Sequence, residues 1–147
     1  MIIDDLIRSA APRVKHRLWI LSDLQQQQPK RAAYCMKRAS DDFVSLNMSV
    51  EAVCYLGDAT EGHNLDFIHE MAQMQADEFA RVDAPKYYSI GNHDFDYFAY
   101  HRQTLGRMCI PFVEFMRKQP QWHVPQDITR MYQLVDMGEY ALCFFPD

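Results

Sequence analysis

The chain has 147 residues, 48% of them hydrophobic and 24% charged, which suits one globular domain with enough apolar material for a core. A net charge of -5 without a Lys/Arg stripe excludes an extended nucleic-acid surface, although one local site can still accept a nucleotide or another phosphate compound. No apolar stretch approaches the ~20 residues needed to cross a bilayer, so no membrane association is expected.

The opening MIIDDLIRSAAPRV mixes acids and bases and lacks the basic-then-apolar order of a signal peptide. HRLWILS (16–22) is an apolar run of strand length that stops at Asp23. Pro29 suits the first turn of a helix, and Ala32, Met36, Ala39, Phe43 and Leu46 follow at helical spacing, with Lys30-Arg31 and Lys37-Arg38 on a solvated face. EAVCYL (51–56) predicts a second strand and ends in Gly57-Asp58. Asn64 is placed to cap a second helix whose inner face is Ile68, Met71, Ala72, Gln75 and Phe79. KYYSI (86–90) predicts a third strand, which runs into Gly91-Asn92-His93-Asp94.

Beyond this βαβαβ run, residues 98–118 carry Phe98, Leu105, Met108, Phe112, Phe115 and Met116 at helical spacing, with Pro111 as a helix start. MYQLVDMGEYALCFF then alternates and breaks at Met137-Gly138, the pattern of an antiparallel hairpin. Cys35, Cys54, Cys109 and Cys143 are widely spaced with no CxxC pair. They predict reduced, mostly buried thiols in a cytoplasmic protein.

Short apolar strands alternating with helices imply an α/β fold with a mostly parallel sheet covered on both faces. In such sheets the strand C-termini share one edge, where ligands sit. Asp23, Asp58 and the Asn92-His93-Asp94 group therefore converge in expectation, although roughly 35 residues separate each from the next. Carboxylates, amide oxygens and an imidazole together suit hard or borderline divalent cations: Mg, Mn, Fe(II) or Zn. Taken singly, Asp23 and Asp58 are equally well read as turn or capping residues. His63, His69 and His101 read as surface groups, His16 has no evident role, and Phe95, Tyr97, Phe98 and Tyr100 read as core or pocket wall. No D-x-D pair follows the first strand and no Gly-rich loop ends in Lys-Ser/Thr, which excludes haloacid-type and P-loop chemistry.

Asp23-Leu24-Gln25, Gly57-Asp58 and Gly91-Asn92-His93-Asp94, in this order at strand ends, resemble the calcineurin-like metallophosphoesterase superfamily. The resemblance implies the N-terminal half of a four-layer α/β/β/α fold. It implies two divalent metal ions, with Asp23 and Gln25 as ligands of the first, Asp58 bridging both and Asn92 on the second. It makes His93 the general acid or phosphate contact, with Asp94 orienting its ring. Gln25, where most members have histidine, resembles the manganese-dependent pyrophosphatases of the ADP-ribose and CDP-alcohol type. The family also has later histidines in Gly-His and Gly-His-x-His contexts. Here only His101 and His123 follow the motif, neither in such a context, so residues 1–147 read as a single, C-terminally incomplete domain.

Two functions follow as expectations. One is hydrolysis of a phosphomonoester, phosphodiester or nucleotide pyrophosphate bond by a metal-activated water. The other is a catalytically incomplete binding or assembly module, or one chain of a split enzyme. In the second, an uncovered apolar face leads to a homo-oligomer or to a partner chain that supplies the missing half.

Overall fold

The computed structural model describes residues 3–10, 12, 14–25, 28–60, 65–94, 111–125 and 132–145. Four parallel strands form the main sheet in chain order: β1 Leu18–Leu21, β2 Ala52–Tyr55, β3 Lys86–Tyr88 and β4 Trp122–His123. Leu18 pairs with Ala52, Val53 with Lys86, and Lys86 with Trp122. Between the strands run α2 Pro29–Ser45, α3 Leu65–Phe79 and α4 Pro111–Met116, after an N-terminal α1 at Ile3–Ala10. An antiparallel hairpin, β5 Gln133–Asp136 and β6 Ala141–Phe144, completes the described chain. This is the expected parallel sheet with its C-terminal hairpin.

Strands laid down in one direction by crossovers of one hand carry all their helices on one face. The main core accordingly lies on that face. Trp19, Leu21, Val53, Tyr55, Tyr88 and Ile90 meet Met36 of α2, Ile68, Ala72 and Phe79 of α3, and Phe112 and Met116 of α4. Phe79 is at its centre: its ring lies 5.7 Å from Trp19, 5.7 Å from Tyr55 and 5.3 Å from Trp122, each edge-on. The opposite face is covered by the hairpin, where Phe144, Val135 and Leu142 pack on Ala52, Cys54 and Tyr87. With cover on both sides, every residue of β2 is buried, which is why its sequence is a continuous apolar run.

The helices follow their sequence signals. Pro29 is the first residue of α2, Ala32 and Met36 point inward, and Lys37 and Arg38 pair with Asp41 and Asp42 on the outer face. Arg8 of α1 donates to the Ser45 carbonyl at 3.0 Å and to the Leu46 carbonyl at 3.3 Å, satisfying acceptors that the end of α2 leaves open. All five inner-face residues named for α3 are buried, including Gln75, whose Nε2 donates to the Ala59 carbonyl at 2.8 Å.

Some expectations need correction. The helix read over 98–118 is described only as Pro111–Met116; residues 98–110, and Asn64 as a cap, lie outside the described residues. The two-residue β4 was not anticipated, because so short a strand leaves no periodicity to read. Of the thiols, Cys54 is buried but Cys35 and Cys143 are exposed, all three free, and Cys109 lies outside the described residues. Cys35 sits on the outer side of α2 and Cys143 opposite Leu134 on the outer side of the hairpin, and the apolar character of their chain neighbours hid their exposure. Among the described residues no helix is long and apolar enough to cross a membrane.

Phe79→Ala should cost about 3–5 kcal/mol, because three aromatic neighbours cannot collapse into the space it leaves. Urea denaturation followed by tryptophan fluorescence measures the loss.

Candidate functional site

The C-terminal ends of β1, β2 and β3 are tied together by backbone hydrogen bonds. Asp23 N–H donates to the Gly57 carbonyl at 3.2 Å and Gln25 N–H to the Asp58 carbonyl at 2.9 Å. His93 N–H donates to Asp58 Oδ1 at 2.9 Å, which brings the third loop to the second. The structure thus brings Asp23, Gln25, Asp58, His93 and Asp94 to one edge. Asn92 opens the 3₁₀ turn Asn92–Asp94, but its side chain lies outside the described residues.

Both strand-end aspartates hold a left-handed backbone, with φ of 58° at Asp23 and 53° at Asp58. Non-glycine residues adopt this region at a cost, and such residues gather at functional sites when the surroundings enforce them. Here the enforcement is a close approach of two glycines. Gly57 has φ of 90°, and a Cβ there would lie 2.5 Å from the Gly91 nitrogen. A Cβ on Gly91 would lie 2.2 Å from Asp58 Oδ1. The glycines before Asp58 and before Asn92 are therefore two halves of one contact, and any side chain on either would force the loops apart.

Asp94 closes the contact. Fully buried, it accepts at Oδ1 from the amides of Ala59 at 2.7 Å and Thr60 at 3.2 Å. At Oδ2 it accepts from the amides of Asp58 and Gly91, both at 2.9 Å, and from the Tyr88 hydroxyl. Burial raises its carboxyl to about 6, against the pull of Tyr88 and of the Gly91 and Ala59 amides, and the charge of Asp58 adds to the lift. At neutral pH it is an anion held by backbone dipoles. The resemblance gave Asp94 the task of orienting the His93 ring, whereas its described bonds go to Tyr88 and to the loop amides, partners that sequence reasoning missed. Nothing in the local pattern ties a tyrosine at the end of β3 to them.

The edge carries concentrated negative charge. Tyr55, buried beneath it, is pushed well above its ordinary value, first by burial and then by the fields of Asp94, Asp23 and Asp58. Ser22 donates its hydroxyl to Asp23, and the Gln25 amide nitrogen, oriented to satisfy its neighbours, donates to the carbonyls of Asp23 at 3.3 Å and Asp58 at 3.0 Å. Among the described residues no group of three or more His, Cys, Asp or Glu side chains is arranged to hold a metal ion. The available donors are two carboxylates and the Gln25 amide, an oxygen set that fits a hard cation better than zinc. His69 is exposed on α3 and His123 stacks on Tyr87 at 4.8 Å on β4; His63 and His101 lie outside the described residues.

Compared with models of known protein families and with curated proteins, the chain matches none. The fold is a generic α/β one. Its parallel sheet and helices are consistent with Rossmann-like and metallophosphoesterase-like topologies alike.

Asp94→Asn keeps the volume of the side chain but puts an NH₂ group where one carboxylate oxygen accepts from two or three of the five donors. It should cost about 3 kcal/mol or more in urea denaturation. Gly91→Ala should be of similar severity, because the Asp58 carboxylate has to move away from its place.

Proposed function

We propose that this chain is a metal-dependent phosphoester hydrolase, acting on a phosphomonoester, a phosphodiester or a nucleotide pyrophosphate bond. The observation that carries the reading is the junction of Asp23, Gln25 and Asp58 with the Asn92–Asp94 turn at the C-terminal sheet edge, two of the aspartates in left-handed backbone. Backbone strain of this kind is retained where it aims a side chain for use.

In this reading Asp23 and Gln25 would hold one divalent ion, Asp58 would hold it jointly with a second, and Asn92 would serve the second. Manganese or magnesium suits the oxygen donors better than iron or zinc, and the resemblance favours manganese. Bound there, such ions supply an activated water and neutralise phosphoryl oxygens. The chain's own residues do the rest. Asp58 is held in place through Oδ1 by the His93 amide, so its Oδ2 is the oxygen with freedom to act. His93, half-buried at the rim, would give a proton to the leaving oxygen. Asp94 holds the loop after β2 to the turn that carries His93.

Titration calorimetry with Mn²⁺ and turnover of bis-p-nitrophenyl phosphate test the proposal together. Asp58→Asn should abolish both signals. His93→Ala should keep metal binding and lower turnover by roughly 10²–10⁴-fold. Turnover that is indifferent to both substitutions would sink the assignment.

A second reading has support of its own. Ile20 (57% exposed), Leu56 (47%), Leu134 (71%) and Phe145 (75%) leave the hairpin side of the molecule apolar beside this edge. Ile20, Leu56, Ser89, Leu142 and Phe145 line a cleft of about 320 Å³ there. A patch of this kind favours an association module, either a homo-oligomer or one chain of a split enzyme whose partner adds nitrogen ligands. Light scattering on a size-exclusion column decides: mass above one chain that falls in Leu134→Ser/Phe145→Ser supports self-association, and a monomer at every concentration refutes it.

A further inference from the structure

Leu18 and Cys54 face the hairpin, and by strand alternation so do Ile20 and Leu56, two residues further along the chain. Ile20 stands just before Asp23 and Leu56 just before Gly57-Asp58, so both reach the aspartate edge. The end of the hairpin is fastened beside them: Ser89 Oγ donates to the Phe145 carbonyl at 3.0 Å, and Gln133 Nε2 to the Tyr88 carbonyl at 2.5 Å. Between sheet and hairpin lies the cleft of about 320 Å³, with Leu142 as its far wall. Its size suits one small ligand group. No charged side chain is among its described walls, and the one hydroxyl there, that of Ser89, already serves Phe145.

We infer that this cleft seats the apolar alcohol moiety of the phosphoester, so that the substrate class is an alkyl or aryl phosphate ester and not a nucleotide. The inference rests on the hydrolase reading of the same edge. A group that enters the cleft exchanges water for apolar side chains, and each methylene so buried is favourable. A ribose or a base brings hydroxyls and amide edges, which would lose water without gaining partners. The aspartates do not attract an anion by themselves, so contact remote from the reacting bond has to hold the substrate, and the cleft offers it. Leu134 lies on the outer face of the hairpin and is not a wall of the cleft, so a ligand in the cleft and an association surface on the hairpin are separable.

The full chain with Mn²⁺ is assayed on the p-nitrophenyl esters of methyl, butyl and hexyl phosphate and on p-nitrophenyl thymidine phosphate. kcat/KM should rise about two- to fourfold for each methylene that enters the cleft, and the nucleotide ester should fall below the hexyl ester. Ile20→Ser and Leu56→Ser, both at exposed positions, should flatten the series. A flat series in the parent chain, or a preference for the nucleotide ester, would overturn the inference. A second arm needs no turnover. With ¹³C-labelled methyl groups and Mg²⁺, n-hexyl phosphate should shift the Ile20, Leu56 and Leu142 resonances saturably, and methyl phosphate should leave them in place. Resonances that ignore hexyl phosphate, or that move only with protein concentration as a second copy fills the cleft, overturn it as well. Loss of all turnover with these shifts intact defeats the hydrolase reading and upholds the cleft as an alkyl phosphate site.

Discussion

The geometry of the polar edge depends on one buried carboxylate. Asp94 sits where the loops after β2 and β3 press together so closely that neither Gly57 nor Gly91 can carry a side chain. Loops that tight leave backbone amides with no strand or helix to satisfy them, and each buried amide without a partner is costly. Four such amides converge on Asp94, and the Tyr88 hydroxyl reaches it from inside the core. The ion is expensive to bury alone, and the amides are expensive to leave open. Each offsets the other, and the result is a rigid junction between two loops that are far apart in sequence.

That junction determines where Asp58 points. Its left-handed backbone follows Gly57, its amide is held by Asp94, and one of its carboxylate oxygens by the His93 amide. Asp58 therefore has little rotational freedom left to lose when it meets a ligand, and preorganisation of this kind is what a binding residue needs. Asp23 is held less tightly, by a backbone bond to Gly57 and by the Ser22 hydroxyl, and is exposed.

Much of this was legible in the sequence, and the reasons for the rest are physical. β2 showed itself as a short apolar run because a sheet covered on both faces buries alternate residues on each side, and β1 and β3 read as apolar runs of the same length although β1 leaves Ile20 exposed. Observed boundaries fall within one or two residues of those runs. The meeting of Asp23, Asp58 and the third loop followed from parallel topology alone. What stayed hidden was set by contacts across long sequence separations. β4 exists because the Lys86 amide finds the Gln121 carbonyl at 2.8 Å and Trp122 fills the space beside Phe79. Arg8 acts on carbonyls 37 and 38 residues away. His16 had no reading as a lone residue at a strand start, because its carboxylates come from the start of β2 and from the hairpin turn.

The charge at the edge constrains the proposed chemistry more tightly than the motif does. Asp23, Asp58 and Asp94 act together on Tyr55 beneath them, so a phosphate that approached this edge unaided would meet the same repulsion. No Lys or Arg side chain is described in bonding contact with any of the three aspartates. In the proposed reading, attraction for phosphate must therefore be supplied by a cation seated between the carboxylates, which reverses the sign of the local field. In that reading, phosphate affinity at the described residues follows metal affinity. A substitution that removes the cation should remove phosphate binding with it, whereas a phosphate site built on basic side chains would survive such a change.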